Sequence, residues 1–93
     1  MRTNDLKGVL RNFASDYPVL RVMCDLMAEF GQFDRALVAV RFGASTPRTL
    51  RRFSKAGLIE GSSRRIVGES PKRIYYKMPR HLEIRRILDA ASN

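Results

Sequence analysis

The chain has 93 residues, 18 Lys+Arg against 9 Asp+Glu, one His, one Cys and a formal net charge of +9. Such a length holds one domain with a thin core, and a 44% apolar content excludes intrinsic disorder. One cysteine allows neither an internal disulfide nor a site with several thiolates, and no apolar run of about 18 residues is present to span a membrane.

The segment MRTNDLKGVL has no apolar stretch of the secretory-signal kind, so the expectation is a soluble cytoplasmic protein. In residues 5–14, Leu6, Val9, Leu10 and Phe13 fall at i, i+3, i+4 and i+7 behind the capping candidates Thr3 and Asn4. That spacing predicts an amphipathic helix. A second helix is predicted over 17–30, with Pro18 in its first turn, Val19, Val22, Met23, Leu26, Met27 and Phe30 in helical period, and Gly31 as its stop. A third runs from the cap Asp34 to Phe42, with Ala36, Leu37, Val40 and Phe42 facing inward, and ends at Gly43. Ser45 or Thr46 caps a fourth helix from Pro47 to Ala56, closed by Gly57.

Beyond it the character changes. SSRRIVG and RIYYKM are rich in β-branched and aromatic residues and flank the turn-forming GESPK, which predicts a β-hairpin across 62–78. A last helix spans Arg80 to Ala91, with Ile84, Ile87, Leu88 and Ala91 in helical spacing. The expected class is mainly α with a small β-hairpin, an α+β domain over 1–93.

Mapped onto these elements, the charge is uneven. Residues 1–40 carry five basic and five acidic side chains, and in 81–93 Arg85 and Arg86 cancel Glu83 and Asp89. The whole excess lies in 41–80, where eleven basic residues face only Glu60 and Glu69. Such a segment seeks a polyanion.

On the fourth helix, Arg48, Arg51, Arg52 and Lys55 occupy i, i+3, i+4 and i+7, while Leu50 and Phe53 project from the other side. Like charges at these spacings repel by roughly 0.2 to 0.5 kcal/mol per pair. No acidic residue is interleaved on the helix. A solvated face gains nothing from that arrangement, whereas phosphates turn the repulsion into attraction with release of counterions.

The third helix, the turn at Gly43 and the fourth helix form a helix-turn-helix pattern, followed by a hairpin. FGASTPRTLRRFSKAGLIEG followed by KRIYYKMP resembles the winged helix-turn-helix of bacterial and archaeal transcription regulators of the MarR, ArsR and TrmB groups. The resemblance covers 17–78. It rests on Gly43 in the turn, a Ser/Thr cap at Ser45 or Thr46, the anchor Phe53, the Ala56-Gly57-Leu58-Ile59 lead into the wing and Arg73-Ile74-Tyr75-Tyr76 in the second wing strand. Between Gly43 and that lead the chain is shorter than the usual pattern, which implies an abbreviated recognition helix or turn.

The resemblance implies a winged helix-turn-helix with extra N- and C-terminal helices, the helix at 47–56 in the major groove and the hairpin at 62–78 as a wing along the backbone or minor groove. The candidate DNA-binding set is Ser45, Thr46, Arg48, Thr49, Arg51, Arg52 and Lys55 on the helix, with Arg64, Arg65, Lys72 and Arg73 on the wing. Arg48 with Arg51 or Arg52 is expected at bases or nearby phosphates. Arg suits both, since its planar fork grips guanine or phosphate through two parallel bonds. The amphipathic helices in 1–15 and 80–93 are expected to form a homodimer interface, the alternative being that they cap the monomer core.

Other features read as structural. Cys24 lies with Leu20 and Met27 on an apolar helix side, as a buried thiol or, in the alternative, an intersubunit disulfide. His81 has no second His, Cys or carboxylate at ligand spacing, and no GxxxxGK[ST] or GxGxxG run exists. No cofactor, metal or catalytic residue is expected. Tyr75 and Tyr76 alternate across a strand, so one should pack on the core and the other be exposed; base stacking is the alternative. The expected function is a sequence-specific double-stranded DNA-binding regulator of transcription acting as a homodimer, and hence nucleoid-associated in the cytoplasm. The alternatives are a sequence-neutral DNA- or RNA-binding protein of chromatin type and a winged-helix subunit meeting an acidic protein.

Overall fold

The computed structural model describes residues 3–64 and 73–91. It is mainly helical, with a small three-stranded antiparallel sheet. Helix α1 (Thr3–Arg11) buries Leu6 and Leu10 and ends earlier than the spacing predicts. Tighter bonds take over there: the N–H of Asn12 donates to the Val9 carbonyl at 3.1 Å and that of Phe13 to Leu10 at 2.9 Å. A short 3-10 turn, Ala14–Asp16, follows. The tightening turns Phe13 into the core, where its ring meets Phe53 edge-on at 5.2 Å.

Helix α2 (Tyr17–Phe30) has the predicted bounds. Pro18 sits in its first turn, where a missing N–H costs no hydrogen bond. Gly31 ends it at φ 73°, its N–H bonded to the Met27 carbonyl at 2.9 Å. Leu20, Met23, Cys24 and Met27 are buried, but Phe30, expected inside, is 57% exposed because the helix runs past the core at that end.

Strand β1, Phe33–Asp34, was not predicted; two residues are too short for any periodicity. It leads into α3 (Arg35–Phe42), whose first turn is capped by Asp34, the Leu37 N–H donating to Oδ1 at 3.0 Å. Here the inward face differs from the prediction. Val38 is buried and Phe42 half-buried, while Ala36 and Leu37 are exposed and Val40 is 85% exposed. RALVAVRF is apolar at most positions, so its period does not single out a face. The antiparallel pairing of β1 with β3 decides it, by anchoring the start of the helix.

A 3-10 turn, Gly43–Ser45, joins α3 directly to α4 (Thr46–Lys55). Thr46, Leu50 and Phe53 form the buried side of α4, at i, i+4 and i+7. Leu58 and Ile59 then enter the core, and β2 (Glu60–Arg64) begins two residues before the predicted strand. It pairs antiparallel with β3 (Arg73–Lys77), from Glu60 opposite Lys77 to Arg64 opposite Arg73. The sheet order is β1-β3-β2. Residues 65–72, which hold Arg65, Lys72 and the tip of the expected hairpin, lie outside the described residues.

Helix α5 (His81–Ala91) buries Ile84 and Leu88 and half-buries Ile87, but leaves Ala91 exposed. It runs antiparallel to α2, as the Arg21–Asp89 (2.9 Å) and Arg85–Asp25 (3.5 Å) ion pairs show. Leu6, Leu10, Ile84 and Leu88 belong to the same core cluster as Leu50 and Phe53. The apolar stripes of the terminal helices are therefore not spare, which removes the reason for expecting a dimer through them; a thin core needs those side chains.

Candidate nucleic-acid interface

Two forces orient α4. Leu50 and Phe53 are almost fully buried, and each such side chain contributes about 1.5 to 3 kcal/mol by leaving water. Anchoring that side turns Arg48, Arg51, Arg52 and Lys55 outward, and all four are exposed. The predicted one-sided basic helix is present in the fold.

Its neighbours divide the stripe in two. Nη1 of Arg52 lies 3.4 Å from Oδ2 of Asp16, and its guanidinium carbon stands 5.1 Å from the centre of the Phe13 ring. The sequence offered no acidic partner along α4; the fold brings one from the turn before α2. On the opposite flank, Arg51 and Lys55 line an open cleft of about 330 Å³ with Pro47, Leu50, Ser54, Arg35 and Tyr76. Among the described residues, Arg35, Arg48, Arg51 and Lys55 form no ion pair.

The start of α4 departs from the predicted cap. Ser45 occupies the N-cap position with φ −77° and ψ −10° and makes no side-chain cap bond. Its hydroxyl instead donates back to the Phe42 carbonyl at 3.4 Å. Ser45 is exposed, Thr49 half-buried and Thr46 only 2% exposed. Thr46 is thereby withdrawn from the candidate contact surface, because the 3-10 turn delivers it to the core side of the helix. Its Oγ1 has no hydrogen-bond partner among the described residues.

On the hairpin, Arg64 and Arg73 are register partners at the end of the described ladder, which puts the two positions side by side. Tyr76 packs on Phe33, ring centres 5.9 Å apart and planes 23° from parallel. Tyr75 is also half-buried, not fully exposed as simple alternation predicts.

Sequence reasoning missed Arg35 and Asp16. Both stand in the segment whose charges cancel, and only tertiary placement carries Arg35 to one flank of α4 and Asp16 to the other. No local spacing signals either approach.

Elsewhere the chemistry is structural. The Cys24 thiol is 1% exposed, with Sγ 3.8 Å from the Met78 sulfur and 3.6 Å from the His81 carbonyl. Burial pushes it up to about 11, against a smaller opposing pull from Arg85. An intersubunit disulfide would require α2 and α5 to part. Nδ1 of His81 lies 3.2 Å from the Met78 carbonyl, at the start of α5. Among the described residues no cluster of His, Cys, Asp or Glu is arranged to hold a metal ion, and no helix is long and apolar enough to cross a membrane. Comparison with protein families, with curated proteins and with solved structures finds no match.

Proposed function

We propose that the protein is a winged helix-turn-helix that binds double-stranded DNA sequence-specifically and regulates transcription. The observation that carries the reading is the exposed face of α4, where Arg48, Arg51 and Lys55 have no ion-pair partner among the described residues. Helices α3 and α4, joined through Gly43–Ser45, supply the helix-turn-helix, and β2 with β3 supplies the wing. In this reading α4 enters the major groove, with Arg48 at its centre and Thr49 beside it, while the hairpin positions Arg64 and Arg73 at the backbone. The reading is made for one chain on one half-site and needs no dimer.

The competing reading is sequence-neutral binding through the same cations, and the test separates the two. Selection of bound sequences from a random duplex pool at two salt concentrations should return a shared motif, with affinity falling steeply as salt rises. A steep salt dependence without a motif would establish the neutral reading. Absence of duplex binding at low salt would overturn both and leave an acidic protein as the partner of this face.

A further inference from the structure

The flank of α4 away from Asp16 carries a second piece of chemistry. Arg35, in the first turn of α3, and Arg51 and Lys55 of α4 line one cleft, with Tyr76 of β3 completing the wall. The burial of Leu50 sets an apolar floor, and Ser54 adds a hydroxyl. No carboxylate is among the lining residues. Three cations therefore meet without compensation, on a surface where Arg52 a short distance away is compensated by Asp16.

Arg35 makes the arrangement harder to explain by stability alone. A cation in the first turn of a helix opposes the helix macrodipole, and this one forms no ion pair among the described residues. Tyr76 is held by its stacking on Phe33, and its hydroxyl makes no hydrogen bond among the described residues. The cleft offers two guanidiniums, an ammonium and a phenol, a donor set suited to phosphate oxygens.

We propose that this cleft seats a phosphodiester of the duplex backbone, held between Arg35 on one side and Arg51 and Lys55 on the other. The inference rests on the DNA-binding reading and deepens it. The cleft is open along its side and shares α4 with Arg48, so a strand lying across the helix reaches both. Arg51 and Lys55 are then backbone-positioning groups that fix the register of α4, and base discrimination falls on Arg48 and Thr49.

The test compares wild type, Arg35→Ala, Arg35→Lys and Arg48→Ala in anisotropy titrations of a selected and a random duplex across a salt series, with circular dichroism checking the fold. Arg35→Ala should weaken binding to both duplexes by the same factor and reduce the salt slope by about 1. Arg35→Lys should restore the slope, and Arg48→Ala should change the ratio between duplexes. If wild type binds and Arg35→Ala keeps its affinity and slope, the cleft assignment falls while the DNA-binding reading stands. If wild type does not bind duplex, both fall. Titration with inorganic phosphate at matched ionic strength, followed by NMR, distinguishes the sources. Shifts at Tyr76 that vanish in Arg35→Ala, in a protein that binds no duplex, would make this a free-phosphate site and overturn the backbone assignment.

Discussion

Arg52 and Asp16 pair across the fold, Nη1 to Oδ2 at 3.4 Å, and the same guanidinium covers the face of the Phe13 ring. The pair takes one of four cations out of the basic stripe and ties α4 to the turn between α1 and α2. Arg52 is 50% exposed and Asp16 17%, so solvent screens the attraction. The pair and the ring contact together contribute about 0.5 to 1 kcal/mol. Arg52→Ala is expected to cost that much in urea unfolding and to weaken duplex binding less than Arg48→Ala, for which about 1 to 3 kcal/mol is expected if Arg48 reads a base. Asp16→Asn should strengthen duplex binding by freeing a cation. Equal losses from Arg52→Ala and Arg48→Ala would show that Arg52 leaves Asp16 on DNA.

Gly8, Gly31 and Gly43 make a three-way test of backbone conformation, because at none of them would an added Cβ meet an atom within 4 Å. Gly43 has φ 72° and ψ −146°, a region nearly restricted to glycine, and Gly43→Ala should cost about 1 to 3 kcal/mol. Gly31 is in the ordinary left-handed region at φ 73° and ψ −6°, where alanine costs about 1 kcal/mol. Gly8 lies inside α1, and alanine there should stabilise by about 0.5 to 1 kcal/mol. Chemical denaturation of the three variants checks the order. Gly43→Ala alone should also weaken duplex binding, since it alters how α4 leaves α3.

What the sequence reveals follows from which signals are local. Helix α2 is bounded by Pro18 and Gly31, both local devices, and its limits are read correctly. The basic stripe on α4 is also local, because Leu50 and Phe53 alternate with arginines at a period only a helix satisfies. The rotation of α3 is not, since its run of apolar residues suits several faces and the choice is made by β1 pairing with β3 far along the chain. Arg35 and Asp16 were beyond reach for the same reason. Asp16 reaches α4 from the turn before α2, distant in sequence, and Arg35 is brought to its flank by the packing of the neighbouring helix α3.

Thr46 is 2% exposed with its Oγ1 unpartnered among the described residues, so its hydroxyl is a cost to folding. A buried unpaired polar group costs about 1 to 3 kcal/mol, and valine keeps the shape while removing the oxygen. Thr46→Val should therefore raise the unfolding free energy by about 1 kcal/mol, read as a higher denaturation midpoint at unchanged slope. A clear loss of stability would mean that the hydroxyl bonds a group outside the described residues.

The burial of Leu10 in α1 and Leu88 in α5 predicts behaviour opposite to that of a dimer interface. Each contributes to the core cluster of one chain. Leu10→Ala and Leu88→Ala should each cost about 2 to 5 kcal/mol, and the unfolding midpoint should not depend on protein concentration in either variant or in wild type. Midpoints that rise with concentration, with losses that shrink at high concentration, would restore α1 and α5 as a subunit interface.

Cys24 gives the fold an alkaline limit. Its folded value of about 11 exceeds the ordinary 9.0 because burial disfavours the thiolate. The folded chain therefore holds a proton that the unfolded chain releases first. The resulting stability is fully present below pH 9 and is lost as pH rises from 9 to 11, to a limit of about 3 kcal/mol. Urea midpoints of wild type and Cys24→Ala should converge across that interval, since only wild type loses this contribution. At pH 8 the same burial should leave the thiol nearly inert to a disulfide reagent in the folded protein and reactive once urea unfolds it. Rapid labelling of the folded chain would show that α2 and α5 separate readily around Cys24.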